Sequence, residues 1–452
     1  MLSVREVWEG TGPILVASHC DASATFTGAA IDSRSVQPGD LFFALHGESQ
    51  DGHDFVDDAV AHGAAGVVAD RPIEPSGVSV FHTSDSLTAL HRIAAQQRRR
   101  HDVRVIGVTG SVGKTTCKEI VASVLGRNYR VLKSESNYNT DIGIALTLLR
   151  LTSDHERAVL EMAMYGRGEV ALLAEMTAPH VGIVTNIGPV HLERVGWMGG
   201  IVEAKAELVE ALPSDGLAVL NGDDARTAAL AQRTRARTVL FGKSEQCTVR
   251  GRDVQSHGLD GISFRIEANG ESVAVSCPLP GKHHVYPALA ATAVALNEGM
   301  SLREIADALA DVKLEQRLNV TPGPNGSTII DDSYNASPAA MLAALDLLSE
   351  LDGRRIAVLG DMRELGAAEE EGHRAVGSHA AECCDVLFVI GENASITSAA
   401  AREAGHTDVR ILESDDDAAK ELRAELRDGD YALIKASRAL GLEKLVKALV
   451  TQ

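Results

Sequence analysis

The stretch GVTGSVGKTT, residues 107–116, constrains this chain more than any other. It follows an apolar run, RVIGV, and leads into a helix-like stretch, CKEIVASVL. A strand, a glycine turn carrying a lysine, and a helix make a phosphate cradle. The glycines let backbone N–H groups close on anionic oxygens, and the helix N-terminus adds partial positive charge. The loop has the short form G-x-x-G-K-T, from Gly110 to Thr115, since Val108 stands where the longer G-x-x-x-x-G-K-[ST] loop begins with glycine. Gly110, Ser111, Val112, Gly113, Lys114, Thr115 and Thr116 are therefore expected around the phosphates of a nucleotide. Lys114 supplies mobile charge for the outer phosphates, and the Thr115 hydroxyl can bind Mg²⁺.

The cradle sits in a chain of 452 residues, enough for roughly two to four domains. In residues 1–100, DLFFAL, AAGVVAD and VSVFHTS read as short strands, with a helical pattern at FVDDAVAHGA. In residues 101–314, strands RVIGVTG, RAVLEMAM, HVGIVTNIG and LAVLNG alternate with helices, and the helix YPALAATAVALNEG closes the unit. That alternation predicts a mostly parallel sheet covered on both faces. In residues 315–452, STIIDDSY, RRIAVLGDM, DVLFVIGE, VRILES and DYALIKAS repeat the pattern without a G-x-G-x-x-G fingerprint. The fold class is α/β, in three domains.

Composition removes several classes of function. The formal net charge of −20 opposes a polyanionic backbone, and aromatics at 4% leave few stacking platforms, so no nucleic-acid partner is expected. The basic stretch QQRRRHDVR near residue 100 reads as a solvated linker. Six cysteines without C-x-x-C spacing suggest a reduced, cytoplasmic protein. The opening MLSVREVWEG has no apolar h-region, and no run approaches the ~20 apolar residues of a membrane span.

Other polar residues fall at strand ends. Glu161 ends the strand AVLEMAM, on the edge where ligands collect in parallel sheets, and could hold Mg²⁺ against the phosphates. His191 follows the strand HVGIVTNIG on the same edge. Lys205, in IVEAKAELVEAL, reads from the helix pattern as an ordinary exposed lysine. Asp331 and Asp332 end a strand in IIDDSYNASP, where Asn335, Ser337 and Pro338 form a turn suited to binding metal, amine or hydroxyl groups, or to simple capping.

Taken together, DSRSVQPGDLFFALHG (32–47), DGHDF (51–55), TGSVGKTT (109–116), NYNTDIG (137–143), EMAM (161–164), TNIGPVH (185–191), EAKAEL (203–208), DDSYNASP (331–338) and LGDMRELG (359–366) resemble the Mur ligases, ATP-dependent amide-forming enzymes of peptidoglycan precursor synthesis. The resemblance implies a UDP-binding domain, a central ATPase and a C-terminal Rossmann-like domain. DDSYNASP and LGDMRELG resemble the branch that adds D-alanyl-D-alanine to UDP-N-acetylmuramoyl-tripeptide. It also implies roles. Lys114 and Thr115 handle the ATP phosphates and a first Mg²⁺, with Glu161 on that ion. His191 and Lys205 serve a second Mg²⁺, Lys205 as a carbamate. Ser33, Arg34, Asn139 and Thr140 lie along the UDP-sugar substrate. Arg317 and Asp332 meet ATP, and Asn335, Lys435, Ser437 and Arg438 complete the C-terminal face. Small-molecule substrates are the implied partners of a monomer. HHVYP (283–287) departs from the family's H-N-x-x-N and lacks both asparagines; KASR, EMAM, Ser337 and GWMGG are smaller departures. A ligase for another carboxylate and amine, a small-molecule kinase and a nucleotide-dependent switch are the competing readings.

Overall fold

A computed structural model describes the chain except residues 48, 76, 136, 191, 314–317 and 451–452. Two expected site residues, His191 and Arg317, fall outside the described residues. The architecture is α/β, built on three large sheets. In the first, the spatial order is Leu15–His19, Ser79–Thr83, Gly66–Ala69, Leu41–Phe43, Ala29–Ala30. Its strands run parallel except the Leu15–His19 edge, and the three predicted strands are all present.

The basic stretch near residue 100 is not a linker. It is the last turn of the helix Ser86–Arg100 and the residues just after it. Arg98 is buried, and its guanidinium donates to the carbonyls of Thr177 (2.8 Å) and His101 (3.2 Å). Thr177 ends the helix Glu169–Thr177, whose last carbonyls lack intrahelical partners and carry partial negative charge. Arg100 pairs with Glu6 and Glu9. The charge run ties elements together where composition alone suggested solvent.

The second sheet has nine strands, in the order Glu271–Cys277, Ile262–Ala268, Val249–Ser256, Arg237–Gly242, Leu217–Asn221, Val181–Val184, Arg104–Thr109, Arg157–Glu161, Val131–Lys133. The four expected strands form its buried centre. Two antiparallel pairings at Val249–Cys277 extend it, and the sequence reading missed these strands. They alternate buried with exposed residues, so their apolar signal is diluted compared with the fully buried parallel strands. Helices Lys114–Leu125 and Val285–Asn297 cover one face. Helices Glu169–Thr177 and Met198–Glu210 cover the other. From Arg104–Thr109 the chain leaves first toward Val131–Lys133 and later returns on the opposite side at Val181–Val184. That reversal opens a crevice at the strand's carboxyl end, where residues 110–113 begin.

The third sheet runs Asn319–Pro322, Thr328–Asp331, Tyr431–Lys435, Arg355–Gly360, Val386–Ile390, Val409–Leu412, parallel except for the first strand. Its central strands deliver Asp332, Lys435 and Asp361 to one edge. Among the described residues no helix is long and apolar enough to cross a membrane.

Candidate active site

The glycine loop is held open by its neighbour. Gly110 has φ +149°, and a Cβ there would lie 1.8 Å from Thr185 Oγ1. Only glycine fits so close an approach. Val112 N–H donates to Asn186 Oδ1 (2.9 Å), while Asn186 Nδ2 and Thr185 Oγ1 donate to Val112 O (3.0 and 2.7 Å). Ser111 Oγ donates to Gly188 O and accepts from Gly188 N–H. The loop is thus fixed by TNIG, residues 185–188, before any ligand arrives. Gly113, with φ +81°, precedes the helix Lys114–Leu125, whose first N–H groups take no side-chain cap. Those donors suit an anion. Lys114 Nζ donates to the carbonyls of Gly110 (2.9 Å) and Ser111 (3.2 Å), which folds its charge over the loop.

Glu161 is buried at the end of the neighbouring strand, in register with Val108. Its Oε1 accepts from Asn139 Nδ2 (3.0 Å). Its Oε2 is buried with no hydrogen-bond partner among the described residues. A buried carboxylate oxygen without a donor is costly and calls for a cation. With the Thr115 hydroxyl lining the same cavity, this donor set fits a hard divalent ion such as Mg²⁺.

Lys205 is not the exposed lysine its helix pattern predicts. It is 1% exposed, on the face of Met198–Glu210 that packs on the sheet. Burial, with the charge of Lys114 adding to it, holds its amine well below the ordinary lysine range. Among the described residues no ion pair offsets this.

The third sheet supplies the opposite wall. Lys435 is buried; its Nζ donates to Asp332 Oδ2 (2.5 Å) and Asn335 O (2.8 Å). Ser437 Oγ accepts from Arg363 N–H (2.9 Å), and the Arg438 guanidinium stands over the Tyr334 ring. Two cavities join the walls. One, of about 270 Å³, lies between Gly113, Thr115, Thr116 and Tyr286 on one side and Asp332 and Lys435 on the other. The second, of about 370 Å³, brings Ser111, Lys114, Asn139, Thr140 and Glu161 to Asn335, Ser437 and Arg438. Ser33 and Arg34 line neither: Ser33 is buried in the short turn Ser33–Ser35, and Arg34 forks onto Asp32.

Sequence reading assigned no role to several residues found here. Asn221 Nδ2 donates to Thr185 O (2.9 Å), bracing the clamp. Tyr286 OH donates to Asp223 Oδ2 (3.0 Å); burial pushes its phenol upward, so it remains a donor. Burial, then His284 and Lys435, hold the His283 imidazole well below its usual range and therefore neutral. TNIGPVH and HHVYP were visible as motifs, but nothing in them showed which side chains would serve the loop.

Three family models match the chain: Mur ligase family, catalytic domain, over residues 25–103; Mur ligase middle domain over 108–295; and Mur ligase, glutamate ligase domain, over 316–438. The UDP-N-acetylmuramoyl-tripeptide–D-alanyl-D-alanine ligase of Synechocystis sp. is 39% identical over 427 residues, covering 93% of this chain and 91% of that protein. The enzyme of the same name from Bacillus subtilis is 36% identical, covering 94% and 93%. Among solved structures, MurF from Acinetobacter baumannii superimposes with a TM-score of 0.90 at 29% identity, covering 100% of this chain and 99% of that one. MurF ligase from Thermotoga maritima, in complex with ADP, gives 0.81 at 29% identity, covering 93% and 96%.

Proposed function

The chain belongs to the Mur ligase family, and we propose that the two connected cavities carry its reaction. It is an ATP-dependent peptide ligase of peptidoglycan precursor synthesis that joins D-alanyl-D-alanine to UDP-N-acetylmuramoyl-tripeptide. The observation that supports this use of the site is the meeting of Lys114, Glu161 and the loop N–H groups with Asp332, Lys435, Ser437 and Arg438 from another sheet. A kinase needs a phosphate cradle and an acceptor; a ligase needs a third place, for the amine.

The tripeptide's terminal carboxylate is a poor acyl donor because its leaving group is oxide. Taking the γ-phosphoryl group of ATP gives an acyl phosphate. The amine then attacks its carbonyl carbon, and phosphate leaves from a tetrahedral intermediate. The protein's part is alignment and charge neutralisation. The loop amides and Lys114 hold the ATP phosphates. Asp332 fixes Lys435 beside them, and Arg317 joins ATP from the same domain. Asn139 and Thr140 lie beside the acyl substrate, with Ser33 and Arg34 further along its UDP end. Asn335, Ser437 and Arg438 receive the dipeptide. Thr115 and Glu161 would hold one Mg²⁺, with His191 and a carbamylated Lys205 at a second; Mg²⁺ supplies neutralisation of the phosphoryl charge. Domains at 1–100, 101–314 and 315–452 would carry UDP, ATP and amine respectively. A monomer in the cytoplasm, where ATP and UDP-linked precursors are made, completes the reading.

The test is phosphate release measured with each substrate omitted in turn. Free phosphate should appear at full rate only with ATP, UDP-muramoyl tripeptide and D-Ala-D-Ala together. A phosphorylated product with no amide would point to a kinase. Slow turnover indifferent to both substrates would point to a switch.

A further inference from the structure

Asp51 holds two histidines at once. His53 Nδ1 lies 2.6 Å from Asp51 Oδ1, and His46 Nδ1 lies 3.2 Å from Asp51 Oδ2. A carboxylate beside Nδ1 draws the ring proton there and leaves Nε2 as the ligating nitrogen. Both Nε2 atoms then meet one oxygen of a second acid. Asp70 Oδ1 stands 3.0 Å from His46 Nε2 and 3.1 Å from His53 Nε2. One donor atom from each of these three residues lies within 4.8 Å of the others. We propose that His46, His53 and Asp70 bind a divalent transition-metal ion of the zinc class, with Asp51 as the acid behind both rings.

The cluster sits at the carboxyl edge of the first sheet. His46 follows the strand Leu41–Phe43, and Asp70 follows its parallel neighbour Gly66–Ala69. Asp51 caps the short turn Gly52–Phe55, which carries His53. Asp70 Oδ2 accepts from Ser86 N–H (3.1 Å) at the start of the helix Ser86–Arg100, which orients the carboxylate. Hydrogen bonds alone leave this arrangement unbalanced. His53 Nε2 accepts from Asp70 N–H (3.2 Å), so it presents a lone pair. A lone pair facing Asp70 Oδ1 at 3.1 Å is a contact between two acceptors. A proton on His46 satisfies the His46–Asp70 pair and leaves that contact in place. A metal ion satisfies all three acceptors and displaces only the long bond from Asp70 N–H. Zinc bonded at about 2.0–2.1 Å in a tetrahedral site spaces its ligands about 3.3 Å apart, so the donors need to open only slightly. Two imidazoles and one carboxylate suit zinc better than Mg²⁺, which prefers oxygen. Arg71 is the competing cation, and its guanidinium is spent on Asp51 Oδ2 (3.2 Å) and on Asp54. The His53 side chain is fully buried while that of His46 is 61% exposed, so the site has a rigid floor and an open side for entry and for water.

The test is calorimetric titration of the full-length protein with Zn²⁺, after removal of metals by a chelator and with no nucleotide present. The wild type should bind zinc with a micromolar or tighter Kd. His46→Ala removes an exposed side chain and so keeps the fold, and it should bind zinc about a hundredfold more weakly. His46→Cys puts a ligand back. It should regain zinc binding and, loaded with Co²⁺, show a thiolate-to-metal charge-transfer absorption that His46→Ala lacks. A wild type that takes up no zinc at micromolar concentration overturns the proposal. So does an unchanged affinity in His46→Ala, which would place the ion elsewhere. Asp346, His379 and Cys383 are the other such grouping among the described residues, and a site there would survive that substitution. Weak binding in both variants with no charge-transfer band also overturns it, because the loss would then reflect local disruption and not a missing ligand. With no nucleotide or substrate present, each of these outcomes leaves the ligase reading untouched.

Discussion

Asn186 and Val112 hold each other in both directions: the Val112 N–H donates to Asn186 Oδ1 at 2.9 Å, and Asn186 Nδ2 donates back to Val112 O at 3.0 Å. A side-chain amide from one strand end thereby sets the backbone of the phosphate loop on the next. Asn186→Ala removes both bonds and leaves the loop free to relax. At ~1 kcal/mol for each bond, nucleotide affinity should fall about 10- to 30-fold. Calorimetric titration with ADP checks this. Unchanged affinity would mean that the loop keeps its shape by other contacts.

The two loop glycines should not be equivalent. A methyl group on Gly110 meets Thr185 Oγ1 at 1.8 Å and Thr185 N at 3.1 Å, whereas one on Gly113 meets nothing within 4 Å. Both sites have positive φ, so each alanine carries backbone strain of about 1 kcal/mol. Only Gly110→Ala adds a collision with a side chain that is itself hydrogen-bonded to the loop. Gly110→Ala should abolish nucleotide binding and lower stability by about 2–4 kcal/mol, and Gly113→Ala by about 1 kcal/mol. Urea unfolding of the two variants decides it; equal losses would show that strain alone matters.

Nucleotide choice should be loose. Asn186 and Asn221 both line the cavity beside His283 and Tyr286, but their amides are engaged by Val112 and Thr185. HHVYP adds no side-chain amide to read a base edge. ATP should therefore be preferred over GTP by less than about tenfold in kcat/KM, the scale of a single neutral hydrogen bond. A hundredfold preference would show that another group reads the base.

Much of this arrangement was legible in the sequence, and what was hidden has physical causes. The buried parallel strands announced themselves because both faces are covered and their inner positions form near-continuous apolar runs. The edge strands at Val249–Cys277 did not, since one face meets solvent. Glycine, lysine and threonine at 110–116 carry their chemistry locally. Asn186 does not: its role exists only because Val181–Val184 pairs with the strand that feeds the loop. Lys205 and Arg98 were misread from residues alone for one reason. A long cation on a helix is usually exposed, and only tertiary packing shows that these two are enclosed.

Acid stability should trace to Glu425. Its carboxylate is held by Arg354 and by Arg410 (2.8 Å), and hydrogen bonds from these guanidinium groups lower its pKa from 4.5 to about 2. A lowered carboxylate stabilises the fold above its unfolded pKa, and that stability is lost as pH falls toward the folded value. Wild-type Tm should thus drop between about pH 4.5 and 2. Glu425→Gln should start lower and show a shallower drop over the same window. Parallel profiles would assign the acid limb to other carboxylates.

Lys205 separates an inert buried lysine from a chemically modified one. It is 1% exposed, and burial with the nearby Lys114 charge disfavours its ammonium form. A neutral amine can attack CO₂; the nitrogen then loses a proton and becomes an N-carboxylate. The product is an anion facing Lys114, which removes the like-charge conflict, and its two oxygens sit on a long stem suited to a metal near the phosphates. Lys205→Ala should lose ligase activity by about a hundredfold or more while ADP still binds through the glycine loop. Acetate at high concentration should restore part of the rate by placing a carboxylate in the enlarged space. Lys205→Met, which keeps the apolar volume, should be as inactive as the alanine variant and indifferent to acetate, because its side chain fills that space. Near-normal turnover in either variant would reject the carbamate role, and activity retained in Lys205→Met but lost in Lys205→Ala would assign Lys205 to packing alone.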